Sequence, residues 1–174
     1  MGAQASKSRR SFLSLLVAAG SGVIGLLLAV PGAAYVIDPL TRAGGNKERW
    51  IRVAKLDALS DDHPVAVPVV GEQVDAWTRQ QNVRLGMVWL RKKGDKVIAL
   101  SAECPHLGCK VGYVKDEKRF GCPCHDSSFS EDGQRIGGPA PRSMDPLEVR
   151  VSGDAIEVRF VRYRAQTKER VELG

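Results

Sequence analysis

The sequence predicts a mainly β protein: an antiparallel β sandwich or barrel carried on one N-terminal transmembrane helix, with a loop-built subdomain set into the β framework. Three observations predict it. Residues 11–37 carry no charged side chain, and about 20 apolar residues suffice to cross a bilayer core of about 30 Å as a helix. Beyond Trp50 the chain breaks into short Val- and Ile-rich runs and shows no long 3.6-residue period. Finally, residues 102–145 are poorer in strand signal and rich in Gly and Pro, and they hold all four cysteines of the chain.

The N-terminus reads as an address and an anchor. Arg9-Arg10, followed by Ser11, Phe12 and Leu13, resembles a twin-arginine export signal. Basic residues before a membrane helix face the cytoplasm, so residues 1–10 are expected there, residues 11–37 in the cytoplasmic (inner) membrane as a single pass, and the head on the periplasmic or outer side. Gly32-Ala33-Ala34 would suit signal cleavage, but the uncharged run exceeds the roughly 7–15 apolar residues of a cleaved signal. A retained anchor is therefore expected. Gly20, Gly22, Gly25 and Pro31 interrupt the run, which membrane helices tolerate. MGAQAS matches the short myristoylation pattern, a coincidence beside a prokaryotic export signal. Residues 38–48 turn polar, and Pro39 and Gly44-Gly45 discourage regular structure. They are expected to form a flexible tether of roughly 35–40 Å at full extension, ahead of a head at residues 49–174.

Charge excludes one class of partner. The formal net charge is +6, but residues 1–47 contribute five Lys/Arg and one acid, leaving 21 basic against 19 acidic side chains for the rest. A near-neutral head without a basic stripe is not a nucleic-acid binder.

In the head, WIRVAKL, VAVPVV, VRLGMVWLR and KVIALSA read as strands, with RKKGD a hairpin turn between the last two. Leu147, Val149 and Val151 alternate with polar residues, as do Ile156, Val158 and Phe160 after the turn SGD, the period of a half-buried strand pair. LSDDHPVAV and EQVDAWTRQ offer a helical turn at most. His63 reads as a surface turn residue, and Trp50, Trp77 and Trp89 as core or edge packing.

The chemistry lies in two stretches, CPHLGC at residues 104–109 and CPCHDS at residues 122–127. Thiolate and imidazole at such spacing suit a soft or borderline metal. A zinc knuckle could use four of the six side chains, and a disulfide framework is a further reading. Each stretch, however, offers one Cys–His pair and one extra Cys, enough to hold each of two metal ions with two cysteines to spare.

The two stretches resemble the two boxes of Rieske iron–sulfur proteins, and GGPAP at residues 137–141 resembles the proline loop that covers the cluster in that family. The resemblance implies that Cys104 and Cys122 hold one iron of a 2Fe–2S cluster, that His106 and His125 hold the other, and that Cys109 and Cys124 form a disulfide. It further implies that Leu107 shields the cluster beside the histidines, that Gly138 and Pro139 belong to the covering loop, and that Ser127 donates to a bridging sulfide. Replacing two thiolates by two imidazoles makes the oxidised cluster neutral and raises its potential to about −150 to +300 mV, against about −400 mV for four-thiolate clusters. That range suits an acceptor of quinol electrons, and imidazole couples electron to proton uptake, giving His106 and His125 the catalytic role.

Among Rieske proteins, soluble ferredoxins usually lack the cysteine pair and the export signal. An exported arsenite oxidase small subunit resembles a soluble chain without a retained anchor. The anchor, tether, HLG box and GPAP loop are those of the cytochrome bc family, so a quinol:cytochrome c oxidoreductase subunit is expected. Its partners would be a cytochrome b-type subunit, a c-type cytochrome and quinol, within a dimeric multi-subunit complex. An exported, anchored domain with a structural zinc is the alternative of another class. Two departures from the family point to a low potential and hence to menaquinol: Phe129 stands where high-potential members carry a tyrosine that donates to a ligand sulfur, and Asp126 stands where Gly is usual.

Overall fold

The computed structural model of the chain describes residues 9–41, 50–75, 78–94 and 96–173. They form two compact units, which divide after Ala43.

The first unit is a single helix, α1 (Arg9–Thr41). Its large apolar side chains, among them Leu15, Leu26, Leu28 and Val36, are exposed. A helix that is apolar all round belongs in a membrane or a core, and the segment Arg9–Asp38 is long and apolar enough to cross a membrane. The helix runs further than the expected residues 11–37. It takes in Arg9 and Arg10, and it carries Asp38, Pro39, Leu40 and Thr41 into its last turn, where a tether was expected. Proline's fixed φ lies in the helical range, so Pro31 and Pro39 each cost a backbone hydrogen bond without imposing a non-helical conformation. The rest of the expected tether, including Gly44-Gly45, lies outside the described residues, as does Trp77.

The second unit is built on a six-stranded antiparallel sheet. Its strands are β1 (Trp50–Lys55), β2 (Val65–Asp75), β3 (Thr78–Lys93), β4 (Lys96–Ser101), β9 (Pro146–Ser152) and β10 (Ala155–Arg159), in the order β1-β10-β9-β4-β3-β2. The two edge strands pack against each other, so the sheet is nearly closed. Its core is Ile51, Val69, Val88, Leu90, Ala99, Leu147, Ile156, Val158 and Val161. Full burial of such side chains contributes about 1.5–3 kcal/mol each. The alternation read from residues 147–160 reflects this: Leu147, Ile156 and Val158 point inward, and Val151 at the strand end is exposed.

Two elements differ from expectation. EQVDAWTRQ does not turn helical: Gln73 pairs with Gln80, Val74 with Arg79 and Asp75 with Thr78, as the outer part of the β2–β3 hairpin. Antiparallel pairing satisfies this backbone, and Gln73, Thr78, Arg79 and Gln80 are exposed along it. The 3₁₀ turn that does form, Leu56–Ala58, precedes the LSDDH stretch. His63 follows it in a bend, where its Nδ1 lies 3.1 Å from Ser60 Oγ.

Between β4 and β9 the chain makes its insertion. These strands pair directly, Ala99 with Leu147 and Leu100 with Pro146, and Ser101 N–H donates to Asp145 O at 2.8 Å, so the two ends of the insertion meet. Its scaffold is not loops alone. Strands β5 (Gly112–Val114), β6 (Arg119–Cys122), β7 (Ser127–Ser130) and β8 (Arg135–Gly137) form a second antiparallel sheet. Runs of three or four residues, with Gly112, Gly121 and Gly137 among them, are too short to show a period. A second core lies beneath: Leu100, Val111, Phe120, Phe129, Ala140 and Met144, with Cys104 and Cys122. Trp89 joins the two sheets. Val88 and Leu90 face the first core, whereas the Trp89 ring packs 5.3 Å from Phe120 and 6.2 Å from Tyr113, and its Nε1–H donates to Val111 O at 3.0 Å. Trp50 lies under the Arg150 guanidinium, 4.3 Å from the ring centre.

Candidate metal centre

Two loops of the insertion carry the six Cys and His side chains. The first is closed on itself: Cys104 N–H donates to Cys109 O and Gly108 N–H to Cys104 O, both at 2.8 Å. The second is the turn of the β6–β7 hairpin, held at its base by the pairing of Cys122 with Ser127. Asp126 takes a left-handed φ of 54° in this turn, where Gly fits most easily but Asp is tolerated.

The loops face each other. Cys109 and Cys124 are joined by a disulfide (Sγ–Sγ 2.14 Å, Cα–Cα 6.6 Å). The sulfurs of Cys109, Cys122 and Cys124 lie within 4.8 Å of one another, but a disulfide leaves neither of its sulfurs free to ligate. The remaining thiols, Cys104 and Cys122, are free, buried and neighbours. The His106 and His125 rings meet edge to face with centres 4.8 Å apart. His106 is half-buried and His125 exposed, so sulfur lies inside and imidazole outside.

Burial pushes the Cys104 thiol up. The His106 backbone N–H and the Ser127 hydroxyl oppose this by bonding the sulfur, while the neighbouring Cys122 thiol raises it further. Metal binding by such a thiol requires a cation to take the proton's place. One free thiol and one imidazole from each loop therefore make a donor set that fits a 2Fe–2S group.

A third segment closes over the hairpin turn. Ala140 N–H donates to Ser127 Oγ at 3.1 Å, and Arg135 donates to Gly138 O at 2.5 Å. Gly138 has φ +85°, and a Cβ there would lie 2.4 Å from Ser127 Cα and 2.6 Å from Asp126 O. Only glycine lets the segment lie this close. Gly138 and Pro139 are exposed on the outer face, and Leu107, at the tip of the first loop, is 50% exposed. Ser127 is buried. The structure thus brings the two loops together through the disulfide, the neighbouring thiols and the facing imidazoles, with the 137–141 segment held against Ser127.

Sequence reasoning missed the buried ion pair beneath this segment. Arg142 donates to both carboxylate oxygens of Asp145 at 2.8 Å, with the side chains only 6% and 5% exposed. It also missed the network at the insertion's rim, where Arg91 reaches Glu131 and Asp132, Lys93 reaches Asp132, and Tyr113 donates to Glu131 at 2.7 Å. Burial and that acidic partner push the Tyr113 hydroxyl up to about 12. The only sequence signal for the first is the Arg–Asp spacing of three in PRSMD.

Residues 49–158 match the family model of the Rieske [2Fe-2S] domain. A menaquinol:cytochrome c reductase iron-sulfur subunit from Bacillus subtilis (strain 168) is 33% identical over 151 residues, covering 85% of this chain and 87% of that protein. A cytochrome b6-f complex iron-sulfur subunit from Synechococcus sp. (strain JA-3-3Ab) is 32% identical over 155 residues, covering 88% and 86%. The crystal structure of the plasma membrane Rieske protein of Synechocystis PCC 6803 is similar over 64% of this chain and 98% of that one, at 24% identity and a TM-score of 0.44.

Proposed function

This chain belongs to the Rieske [2Fe-2S] family, and on that premise we propose that it is the iron–sulfur subunit of a bc-type quinol:cytochrome c oxidoreductase. It takes electrons from quinol at a site shared with a cytochrome b-type subunit and passes them to a c-type cytochrome. The observation that carries this reading is the pair of facing loops, with two buried free thiols, two imidazoles in contact and a disulfide between them. Cys104 and Cys122 would hold one iron, and His106 and His125 the other. When bound, the cluster supplies one-electron acceptance at a potential raised by its imidazole ligands.

The chain's own residues do the rest. His125 is exposed and His106 half-buried, so a ring nitrogen not committed to metal can accept the hydrogen bond of a quinol hydroxyl and take up its proton. Leu107 offers that quinol an apolar contact and keeps water from the imidazoles. Gly138 and Pro139 cover the second loop, and the disulfide holds the loops at a fixed separation. The α1 helix anchors the chain in the cytoplasmic membrane with the head on its outer side, reached by the twin-arginine route. Menaquinol is the proposed donor. Phe129 is fully buried in the same core as both free cysteines and cannot donate to sulfur, and one similar protein is described as a menaquinol:cytochrome c reductase subunit.

The test is an EPR spectrum of the purified, dithionite-reduced chain together with its metal content. A rhombic signal with an average g value below that of the free electron, with iron bound, is expected. An EPR-silent protein with stoichiometric zinc would remove the reading.

A further inference from the structure

The residues matching the family model end at 158. The chain beyond them returns to the metal-binding loops. Strands β11 (Arg162–Tyr163) and β12 (Glu172–Leu173) form a hairpin, closed by Arg164 N–H donating to Val171 O at 2.9 Å. Its base is tied to the first sheet by Arg162, which donates to Leu85 O at 2.9 Å. The hairpin grips the first loop on both sides of Cys104. Before it, Arg162 Nε lies 3.4 Å from Glu103 Oε1. After it, Gln166 N–H donates to Pro105 O at 2.9 Å.

The second contact is costly to make and firmly held. Gln166 has φ +61°, a left-handed conformation that is strained for an L residue. Such strain persists where the surroundings over-determine it. Here Arg142 reaches from the buried ion pair to Thr167 O at 2.5 Å and Thr167 Oγ1 at 3.3 Å, and Arg170 donates to Asp145 at 3.1 Å.

The peptide between Pro105 and His106 transmits the grip. Its carbonyl accepts from Gln166, and its N–H lies near enough to the Cys104 sulfur to oppose the rise of that thiol. A trans peptide is planar, so fixing the carbonyl fixes the direction of the N–H. Hydrogen bonds to ligand sulfurs tune the potential of an iron–sulfur centre. We propose that the C-terminal hairpin, through Gln166 N–H, is a positioning element that aims the His106 amide at the Cys104 sulfur and thereby holds up the potential of a centre it does not touch. This rests on the ligand assignment proposed above.

The experiment is a redox titration and EPR spectrum of the full chain with two substitutions at one position. Gln166→Pro removes the N–H and forbids the positive φ, whereas Gln166→Gly keeps the N–H and relieves the strain. Gln166→Pro is expected to lower the midpoint potential and shift the g values, with Gln166→Gly matching the wild type in both. Should Gln166→Pro fail to accumulate, Arg142→Lys, which loses the two-pronged hold on Asp145 and the reach to Thr167, is expected to shift both in the same direction by less. A wild-type potential and spectrum in Gln166→Pro, or in Arg142→Lys where that variant alone is available, overturns the proposal and leaves the hairpin a clasp that contributes only stability. A wild-type protein without the EPR signal instead removes the ligand assignment, so the two failures are distinguishable.

Discussion

Replacing Gly138 by Ala tests how the covering segment is held. The new Cβ would lie 2.4 Å from Ser127 Cα, 2.6 Å from Asp126 O and 2.8 Å from Ser127 N. All three are backbone atoms of the turn beside His125, so no flexible side chain can give way. The φ of +85° adds strain of about 1–2 kcal/mol for an L residue. Relief requires the segment to lift, which breaks the bond from Ala140 N–H to Ser127 Oγ, worth about 0.5–1.5 kcal/mol. The sum is about 1.5–3.5 kcal/mol. At about 4 °C per kcal/mol for a domain of this size, the melting temperature should fall by roughly 6–14 °C. Gly108→Ala separates strain from contact, because Gly108 has φ +77° but nothing within 4 Å of its added Cβ. It should cost only the strain. The assay is thermal unfolding followed by circular dichroism, alongside visible absorbance of the bound cluster. In Gly138→Ala the absorbance should bleach well below the temperature seen for Gly108→Ala. Equal melting of the two variants would refute the close approach of residues 126–127 and 138.

Phe129→Tyr should raise the midpoint potential, by at most roughly 60–130 mV if the new hydroxyl donates to a ligand sulfur with a bond of about 1.5–3 kcal/mol; no rise in a redox titration would sink both the tuning argument and the menaquinol assignment. Cys109→Ala opens a disulfide loop with a sequence separation of 15, worth about 3 kcal/mol in the chain-entropy model, so it should lower the melting temperature. If it abolishes a cluster that Cys104→Ala leaves intact, the ligand assignment is wrong. Tyr113 holds its proton more tightly when folded, at about 12 against an ordinary 10.0. Its contribution to stability is therefore complete below pH 10 and lost as pH rises toward 12, and Tyr113→Phe should flatten that part of a urea-stability profile relative to the wild type. Replacing Gly44-Gly45 with Pro-Pro should slow quinol:cytochrome c turnover and leave the EPR spectrum intact; unchanged turnover counts against a moving head.

How legible each part was in the sequence follows from how narrowly chemistry restricts the residues. Few side-chain types can hold a metal, so the Cys and His residues of CPHLGC and CPCHDS stand out wherever they fall. The barrel strands were legible because a half-buried strand must alternate, as residues 147–151 and 156–160 do. The insertion's sheet was not, because strands of three or four residues are fixed by pairing with neighbours, such as Phe120 opposite Phe129, and not by their own pattern. Pro39 misled because a proline at the end of a helix removes a donor without removing the helix.

Arg142 and Asp145 were illegible for a deeper reason. A charged residue is read as surface because burial costs an unpaired charge several kcal/mol. That cost falls only when the partner is in place, and here two of the partners come from residues 167 and 170. Asp145 also receives Ser101 N–H on its backbone carbonyl, where the insertion leaves the barrel. One buried pair therefore joins three segments far apart in sequence: the end of the covering segment, the root of the insertion and the C-terminal hairpin. Removing Arg142 alone would leave the Asp145 carboxylate buried with only the half-exposed Arg170 against it. Losing the hairpin would instead strip Arg142 of Thr167 while leaving the pair itself intact. Both lesions should therefore disturb the setting of Pro105 between Cys104 and His106, and removing Arg142 should in addition lower the stability of the head.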